Sequence, residues 1–381
     1  MDLSHPICLD PIDHLRSAQP DLPVLYFCPE ALRATARRFL DTFPGVVSYA
    51  IKCNDRDEVL ATIAAEGVQV FDVASPPEMR AVRAVAPQAV LHYNNPVRSR
   101  LEIAEAVRLN VRSYSVDSVS ELEKLIELVP AEGTEIAVRF KLQVEGAAYD
   151  FGAKFGAEPK MAVALLRRVV EAGFEPAMTF HPGTQCTDPE AWREYISVAA
   201  RVAEDAGVTL ARLNVGGGFP ADRGTGEHVP QLEQTIAVIE DAVATNFATA
   251  PVLVCEPGRA MVAESYALAL RVKAMRSDGA VFLNDGIYGT LAEALLLGTL
   301  KRITYLGADG TPLVGERVNR TVFGPTCDSV DMLPGGLDVP ADLAEGDHLL
   351  FHGTGAYTVV TACRFNGYGD PQNVTVAQLY R

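Results

Sequence analysis

The sequence predicts an α/β fold: a closed (β/α)8 barrel followed by a second, mainly antiparallel β-domain. Three observations carry this. Short β-branched and aromatic runs alternate with amphipathic helical patterns along the first part of the chain, the order that gives parallel strands with helical crossovers. The number of these β-then-α units is that of a TIM-like barrel. After about Ser265 the helices thin out, and β-type runs punctuated by Gly, Pro and Asp take over.

The β-rich runs are Pro23–Phe27, Val46–Ile51, Val68–Ala74, Ala89–Tyr93, Arg112–Val116, Glu135–Leu142, Glu175–His181, Ala211–Val215 and Val252–Cys255. Helical patterns lie between them at Glu30–Phe43, Arg56–Gly67, Arg100–Asn110, Ser120–Val129, Met161–Gly173, Glu190–Gly207 and Gln231–Phe247, several ending at Gly. One run is surplus to eight strands, and Pro23–Phe27 is assigned as a lead-in. The barrel is expected over residues 27–265, and the β-domain over 1–26 and 266–381. The β-domain runs are Tyr266–Met275, Ala280–Leu283, Arg317–Phe323, His348–Phe351, Ala356–Ala362 and Val374–Gln378. The stretch Gln143–Pro159, rich in Gly and Ala, is expected as a long loop after a barrel strand and a candidate cover for a site at the barrel mouth. There is no internal repeat or low-complexity stretch.

At 381 residues the chain exceeds the usual single-domain size, which agrees with one large barrel plus a smaller domain. A net charge of −16 argues against nucleic acid or an anionic membrane face as partner. The same acidity draws in a cationic small molecule, or simply keeps the protein soluble. Seven cysteines show no CxxC pair and no regular spacing, so neither a disulfide framework nor a metal site is indicated. The N-terminus lacks a basic patch followed by an apolar stretch, and no run approaches the length of a membrane span. A cytoplasmic protein is expected.

In Tyr49-Ala-Ile-Lys-Cys-Asn54 a lone lysine closes a β-rich run just before a polar turn. A strand-end lysine in a barrel mouth loses part of its hydration, which lowers its pKa and frees the amine to attack an aldehyde. Most strand-end lysines are merely solvated, and the hexapeptide alone leaves both readings open. Further motifs follow in fixed order: Phe180-His-Pro-Gly-Thr-Gln-Cys186, Asn214-Val-Gly-Gly-Gly-Phe-Pro220, Cys255-Glu-Pro-Gly-Arg259, Gly324-Pro-Thr-Cys-Asp-Ser-Val-Asp331, and Gly355-Ala-Tyr357 with Phe365-Asn-Gly367. The set resembles the fold-type III, alanine-racemase-like family of pyridoxal-phosphate decarboxylases acting on basic amino acids, the ornithine decarboxylases above all. The resemblance runs from about Val24 to about Gly367.

The resemblance implies pyridoxal 5'-phosphate as cofactor. Its aldehyde requires an amine, its phosphate backbone N–H groups and a cation, and its pyridine nitrogen a carboxylate that keeps the ring protonated as an electron sink. Lys52 would supply the amine. Gly216, Gly217 and Gly218 suit the phosphate, because residues without Cβ let the backbone come close, although a tight strand-to-helix turn explains three glycines equally well. Arg259 can add charge-assisted bonds to the same phosphate, and Tyr357 resembles the family's phosphate-contacting tyrosine. Glu256 matches the carboxylate that pairs with the pyridine nitrogen, a structural salt bridge being the alternative. His181 matches an imidazole stacked on the ring. Asp72 and Glu78 match positions near lysine and cofactor, and Arg139 one beneath the ring; a purely structural network explains these three almost as well. Thr184 stands where the family usually has serine.

Cys327 and Asp328 belong to the β-domain. In the family the corresponding pair crosses a two-fold axis, the cysteine managing the carbanion after carbon dioxide leaves and the aspartate binding the substrate's distal end, which implies a homodimer with shared sites. The chain departs from the likeness after Tyr288. Nine residues on, where the eukaryotic ornithine enzymes carry a substrate-binding aspartate, stands Leu297. Glu293 is the nearest acid and is expected either to replace it or to lie on an exposed helical face. The implied activity is decarboxylation of ornithine, with lysine next and an onium amino acid such as S-methylmethionine a further candidate. A catalytically inactive regulatory homologue is the rival from another class.

Overall fold

A computed structural model describes residues 8–142 and 154–379. The chain opens with α1 (Pro11–Ala18), capped by the Asp10 carboxylate on the Asp13 amide, and β1 (Val24–Phe27), then enters α2 (Pro29–Thr42). Eight strands follow: β2 (Gly45–Ala50), β3 (Val70–Val73), β4 (Val90–Tyr93), β5 (Ser113–Val116), β6 (Glu135–Arg139), β7 (Glu175–Thr179), β8 (Arg212–Asn214) and β9 (Val252–Cys255). All are parallel, and β9 pairs back onto β2 to close the barrel. The helices between them are α3 (Asp57–Ala65), α4 (Pro76–Val85), α5 (Arg100–Arg108), α6 (Val119–Leu128), α7 (Pro159–Glu171), α8 (Glu190–Ala206) and α9 (Leu232–Asn246). Local chemistry sets their ends. Ser99 and Glu102 form a reciprocal capping box on α5, and Gly207 ends α8 at φ 68°, a left-handed value that glycine adopts without strain.

After α10 (Arg259–Val262) come β10 (Tyr266–Met275), β11 (Val281–Leu283), α11 (Ala294–Leu297), β12 (Ile303–Leu306), β13 (Arg317–Arg320), β14 (Val322–Phe323), β15 (Leu337–Pro340), β16 (His348–His352) and β17 (Gln372–Thr375). A seven-stranded sheet runs β12-β16-β10-β1-β17, with β11 pairing β10 and β14. It is mainly antiparallel, β1–β17 and β11–β14 being its parallel pairs. The expected lead-in strand is β1, which joins this sheet and not the barrel. Leu15, Val24, Tyr26, Ala269, Leu306 and Leu350 pack the core beneath it.

Packing divides the chain into a barrel unit, Ala36–Pro220 with His228–Met261, and a β-rich unit, Met1–Thr35 with Ala221–Glu227 and Val262–Arg381. Among the described residues no helix is long and apolar enough to cross a membrane, and no cluster of acidic, His or Cys side chains is set to hold a metal.

Two expectations change. Ala356–Ala362 forms no strand: Tyr357 sits at φ 56°, and the Thr358 and Thr361 hydroxyls donate back to the Thr354 and Tyr357 carbonyls, which curls the segment. Arg317–Phe323 breaks at Thr321 into β13 and β14, which join different sheets. Of the stretch Gln143–Pro159, residues 143–153 lie outside those described.

Candidate active site

The barrel's strand ends converge on one cluster. Lys52 sits in a single helical turn, Ile51–Cys53, directly after β2, and its Nζ lies 3.5 Å from Oδ2 of Asp72 near the end of β3. Asp72 is buried while the lysine side chain keeps 44% of its exposure, so the pair is anchored from the protein side and the amine faces the mouth. Glu78 begins α4 and accepts the Ala74 amide at 2.6 Å. Burial raises its carboxyl to about 7, with the Asp72 charge adding to the rise.

Glu256, just past β9, is buried. Its Oε1 accepts from the side-chain amides of Asn94, at the end of β4, and Asn214, at the end of β8. Burial raises its carboxyl to about 7, the negative Asp72 acting in the same direction and the Lys52 charge, Asn214 and Arg139 against it. Both hydrogen-bond donors are neutral amides, and a buried carboxylate in such company calls for a cation. Asn94 also keeps a buried Oδ1 that no hydrogen bond satisfies among the described residues. The two asparagines went unread in the sequence, where single asparagines at strand ends look like ordinary turn residues. Asn214 carries a second duty, its Oδ1 accepting the Gly216 amide at 2.9 Å, which ties the carboxyl to the glycine run.

The glycine run is required first by the protein itself. A Cβ at Gly216 would stand 2.1 Å from the Phe180 carbonyl oxygen, and one at Gly217 would stand 2.8 Å from the Glu256 carbonyl oxygen and 3.2 Å from His181 Nε2. At Gly218 it would stand 2.5 Å from the Gly183 carbonyl oxygen. The loops after β7, β8 and β9 are thereby pressed together. Among the described residues no hydrogen bond uses the N–H groups of Gly217 and Gly218, and they are available to an anion. Below the run, Trp192 donates to the Val215 carbonyl at 3.2 Å, and Tyr195 stacks on Phe180 at 4.6 Å, which holds the ends of β7 and β8.

His181 Nδ1 accepts the Gly183 amide at 3.0 Å, which leaves the ring proton to Nε2. Burial and the Lys52 and Arg139 charges push its pKa well below the ordinary value, so the ring is neutral. Thr184 follows in the same loop. Arg139 ends β6 with its guanidinium 5.1 Å from the Phe155 ring centre; burial lowers its pKa while Glu256, Asp117 and Asp72 oppose the fall. Arg259 is buried at the start of α10. The barrel unit thus brings together Lys52, Asp72, Glu78, Arg139, His181, Thr184, Gly216–Gly218, Glu256 and Arg259.

In the β-rich unit Tyr288 donates to Oδ2 of Asp328 at 2.6 Å, and the Val330 amide reaches Oδ1 at 3.1 Å. These bonds hold the Asp328 carboxyl below the usual range, so it is ionised. The Phe365-Asn-Gly367 motif supports the pair: the Phe365 ring lies 4.9 Å from that of Tyr288, and Asn366 Oδ1 accepts the Cys327 amide at 3.0 Å. Cys327 is exposed. Glu293 is neither free nor on an open face, because Arg223 holds its carboxylate at 2.8 Å. Leu297 is half-buried on α11, and Tyr357 is half-buried in its left-handed turn.

The barrel residues fit pyridoxal phosphate. Among the described residues there is an amine at the mouth, a buried carboxyl whose hydrogen-bond donors are neutral amides, and a crowded glycine run with N–H groups to spare. Comparison with known proteins agrees. Residues 30–263 match the family described as pyridoxal-dependent decarboxylase, pyridoxal binding domain. The lysine/ornithine decarboxylase of Selenomonas ruminantium is 32% identical over 330 residues, covering 84% of this chain and 81% of its own length. The ornithine decarboxylase of Mus pahari is 30% identical over 367 residues, covering 88% and 76%. The Paramecium bursaria Chlorella virus arginine decarboxylase bound to agmatine superposes with a TM-score of 0.84 at 26% identity, covering 94% of this chain and 98% of its own. The chain belongs to the pyridoxal-dependent decarboxylases that act on basic amino acids.

Proposed function

We propose that the protein decarboxylates ornithine to putrescine, with lysine next and an onium amino acid such as S-methylmethionine as the further candidate. The observation that carries the reading is the pairing, on one ring of strand ends, of the Lys52 amine with the buried Glu256 carboxyl, whose ionisation the Lys52 charge assists. Bound pyridoxal phosphate supplies the aldehyde that takes up the substrate amine and the protonated ring that accepts the electron pair of the Cα–carboxylate bond. The chain's residues do the rest. Lys52 Nζ carries the amine and a transferable proton, with Asp72 holding it at the mouth. Glu256 would keep the ring nitrogen protonated, because a carboxylate buried among neutral amides gains most from an adjacent cation. His181 stays neutral and would add no charge beside the bound ring. The N–H groups of Gly217 and Gly218, with Arg259 and Thr184, would hold the phosphate; Gly216 fixes the loop through Asn214. Arg139 offsets the charge of the acids Glu256, Asp117 and Asp72. The Cys327 thiol would give its proton to the substrate Cα once carbon dioxide has left.

Tyr288 and Asp328 take the substrate's distal cation. Asp328→Ala is expected to lower kcat/KM for the preferred basic substrate by roughly thirtyfold or more, since removing one partner of a charged pair is costly even at a partly wet site. A loss below about threefold would assign the distal site elsewhere. Steady-state kinetics on ornithine, lysine and S-methylmethionine measures it.

The reading includes a homodimer in which Cys327 and Asp328 complete the partner's site. Mixing Lys52→Ala with Cys327→Ala, each inactive or impaired, should then restore activity toward about a quarter of wild type on random subunit exchange. Activity that stays at the sum of the two variants, with exchange demonstrated by native mass spectrometry, would reject shared sites.

A further inference from the structure

The segment around Tyr288 carries four carboxylates, and three are committed. Asp285 accepts from the Gly286 and Thr290 amides and the Thr290 hydroxyl. Asp331 accepts from the Ile287 and Thr326 amides and the Thr326 hydroxyl. Both shape their loops so closely that a Cβ at Gly289 would stand 1.8 Å from Asp285, and one at Gly324 2.2 Å from Asp331. Glu293 is the third. Arg223 Nη1 holds its Oε2 at 2.8 Å, and Arg223 Nη2 donates to the Gly298 carbonyl at 2.8 Å.

Glu293 and Gly298 flank α11, so one guanidinium closes both ends of the short helix that carries Leu297. With side-chain exposures of 11% and 17% the pair is shielded from solvent, which makes it stronger than an ordinary surface ion pair. The backbone beside it is fixed as well. The Lys301 amide donates to the Arg223 carbonyl at 3.0 Å, Arg302 reaches the Asp222 carbonyl at 3.1 Å, and Gly224 packs so tightly on Arg302 that a Cβ there would meet its Cγ at 2.8 Å.

We propose that Arg223 sets discrimination at the substrate's distal end: it withholds Glu293 from the substrate and pins α11, leaving Asp328 as the one carboxylate the segment presents. The inference rests on the decarboxylase reading and narrows it. A single carboxylate, already sharing its oxygens with Tyr288 and Val330, neutralises a distal cation but cannot also meet every N–H of a primary ammonium. A freed Glu293 would add a second carboxylate and raise the preference for a substrate that ends in a primary ammonium.

The test is a double-mutant cycle of Arg223→Met and Glu293→Gln on the cofactor-loaded enzyme, reading the kcat/KM ratio of ornithine to norvaline. Calorimetry of 1,4-diaminobutane against 1-aminobutane gives a second ratio that does not depend on turnover. Arg223→Met is expected to raise both ratios about fivefold or more, Glu293→Gln to leave them within about twofold, and the double variant to return to wild type. Equal loss for both compounds, with or without Glu293, makes Arg223 a scaffold residue and overturns the proposal. So does a fall in the ratios for Glu293→Gln alone, which would make Glu293 a substrate ligand. Should Arg223→Met fail to fold by circular dichroism, Arg223→Gln removes the charge and can keep the Gly298 bond, under the same expectations. A wild type that turns over no amino acid would reject the decarboxylase reading, while the amine-binding ratios would still decide the role of Arg223.

Discussion

Lys52→Ala is expected to lower kcat by roughly 10³- to 10⁵-fold, because it converts an amine held within reach of the cofactor into one that must be recruited from solution. Stability should scarcely change. The lysine side chain is nearly half exposed and the Asp72 carboxylate lies 3.5 Å from its Nζ, so the melting temperature should stay within a few degrees of wild type. Added small primary amines are expected to restore part of the activity in proportion to their concentration. The close contacts of the glycine run and the hydrogen bonds from Asn94 and Asn214 to Glu256 remain without the lysine side chain, so a folded, cofactor-binding but inactive variant is the anticipated phenotype. An active Lys52→Ala would remove the lysine from the chemistry altogether.

Glu256→Gln is the second large effect, with kcat expected to fall on the order of 10²- to 10⁴-fold as the ring nitrogen loses the group that keeps it protonated. The change also has a signature in stability. In the cofactor-free protein the Glu256 carboxyl titrates near 7, above the ordinary carboxylate value of 4.5. The folded state therefore holds a proton that the unfolded state gives up. As pH rises from the ordinary carboxylate range to about neutrality, this group's contribution turns progressively against folding, and it levels off above. Glutamine cannot titrate. The melting temperature of cofactor-free Glu256→Gln should thus gain on wild type between pH 5 and pH 8. With cofactor loaded the gap should close or reverse, since the wild-type carboxylate then faces a cation. A pH-independent gap would mean that Glu256 is not a desolvated acid.

Much of the barrel was legible because parallel strands and amphipathic crossovers leave distinct local patterns, and Gly207 and Ser99 mark helix ends by chemistry that acts over a few residues. The helix α4 was harder to see. It opens with Pro76-Pro77, which reads as a turn, although the Ser75 hydroxyl accepting the Glu78 amide is an ordinary helix start. The β-rich unit was read less well: Ala356–Ala362 has strand-like residues, but hydroxyl-to-backbone bonds redirect it. In the site, Lys52, His181, the glycine run and Glu256 stand in contiguous motifs. Asn94 and Asn214 gain meaning only when the barrel brings three strand ends together around one carboxyl. The Arg223–Glu293 pair joins residues 70 apart in sequence, and no local pattern announces it. Glu293 could be read as an acid facing substrate for as long as its partner was unknown.

The most direct measurement is the simultaneous release of carbon dioxide and amine when the purified, pyridoxal-phosphate-loaded protein is given ornithine, lysine, arginine and S-methylmethionine in turn, with Lys52→Ala alongside. Equimolar carbon dioxide and the matching amine from at least one of them, ornithine foremost, absent in Lys52→Ala, is the expected result. Cofactor bound at Lys52 with neither product formed from any amino acid would contradict the account and leave a binding protein in its place.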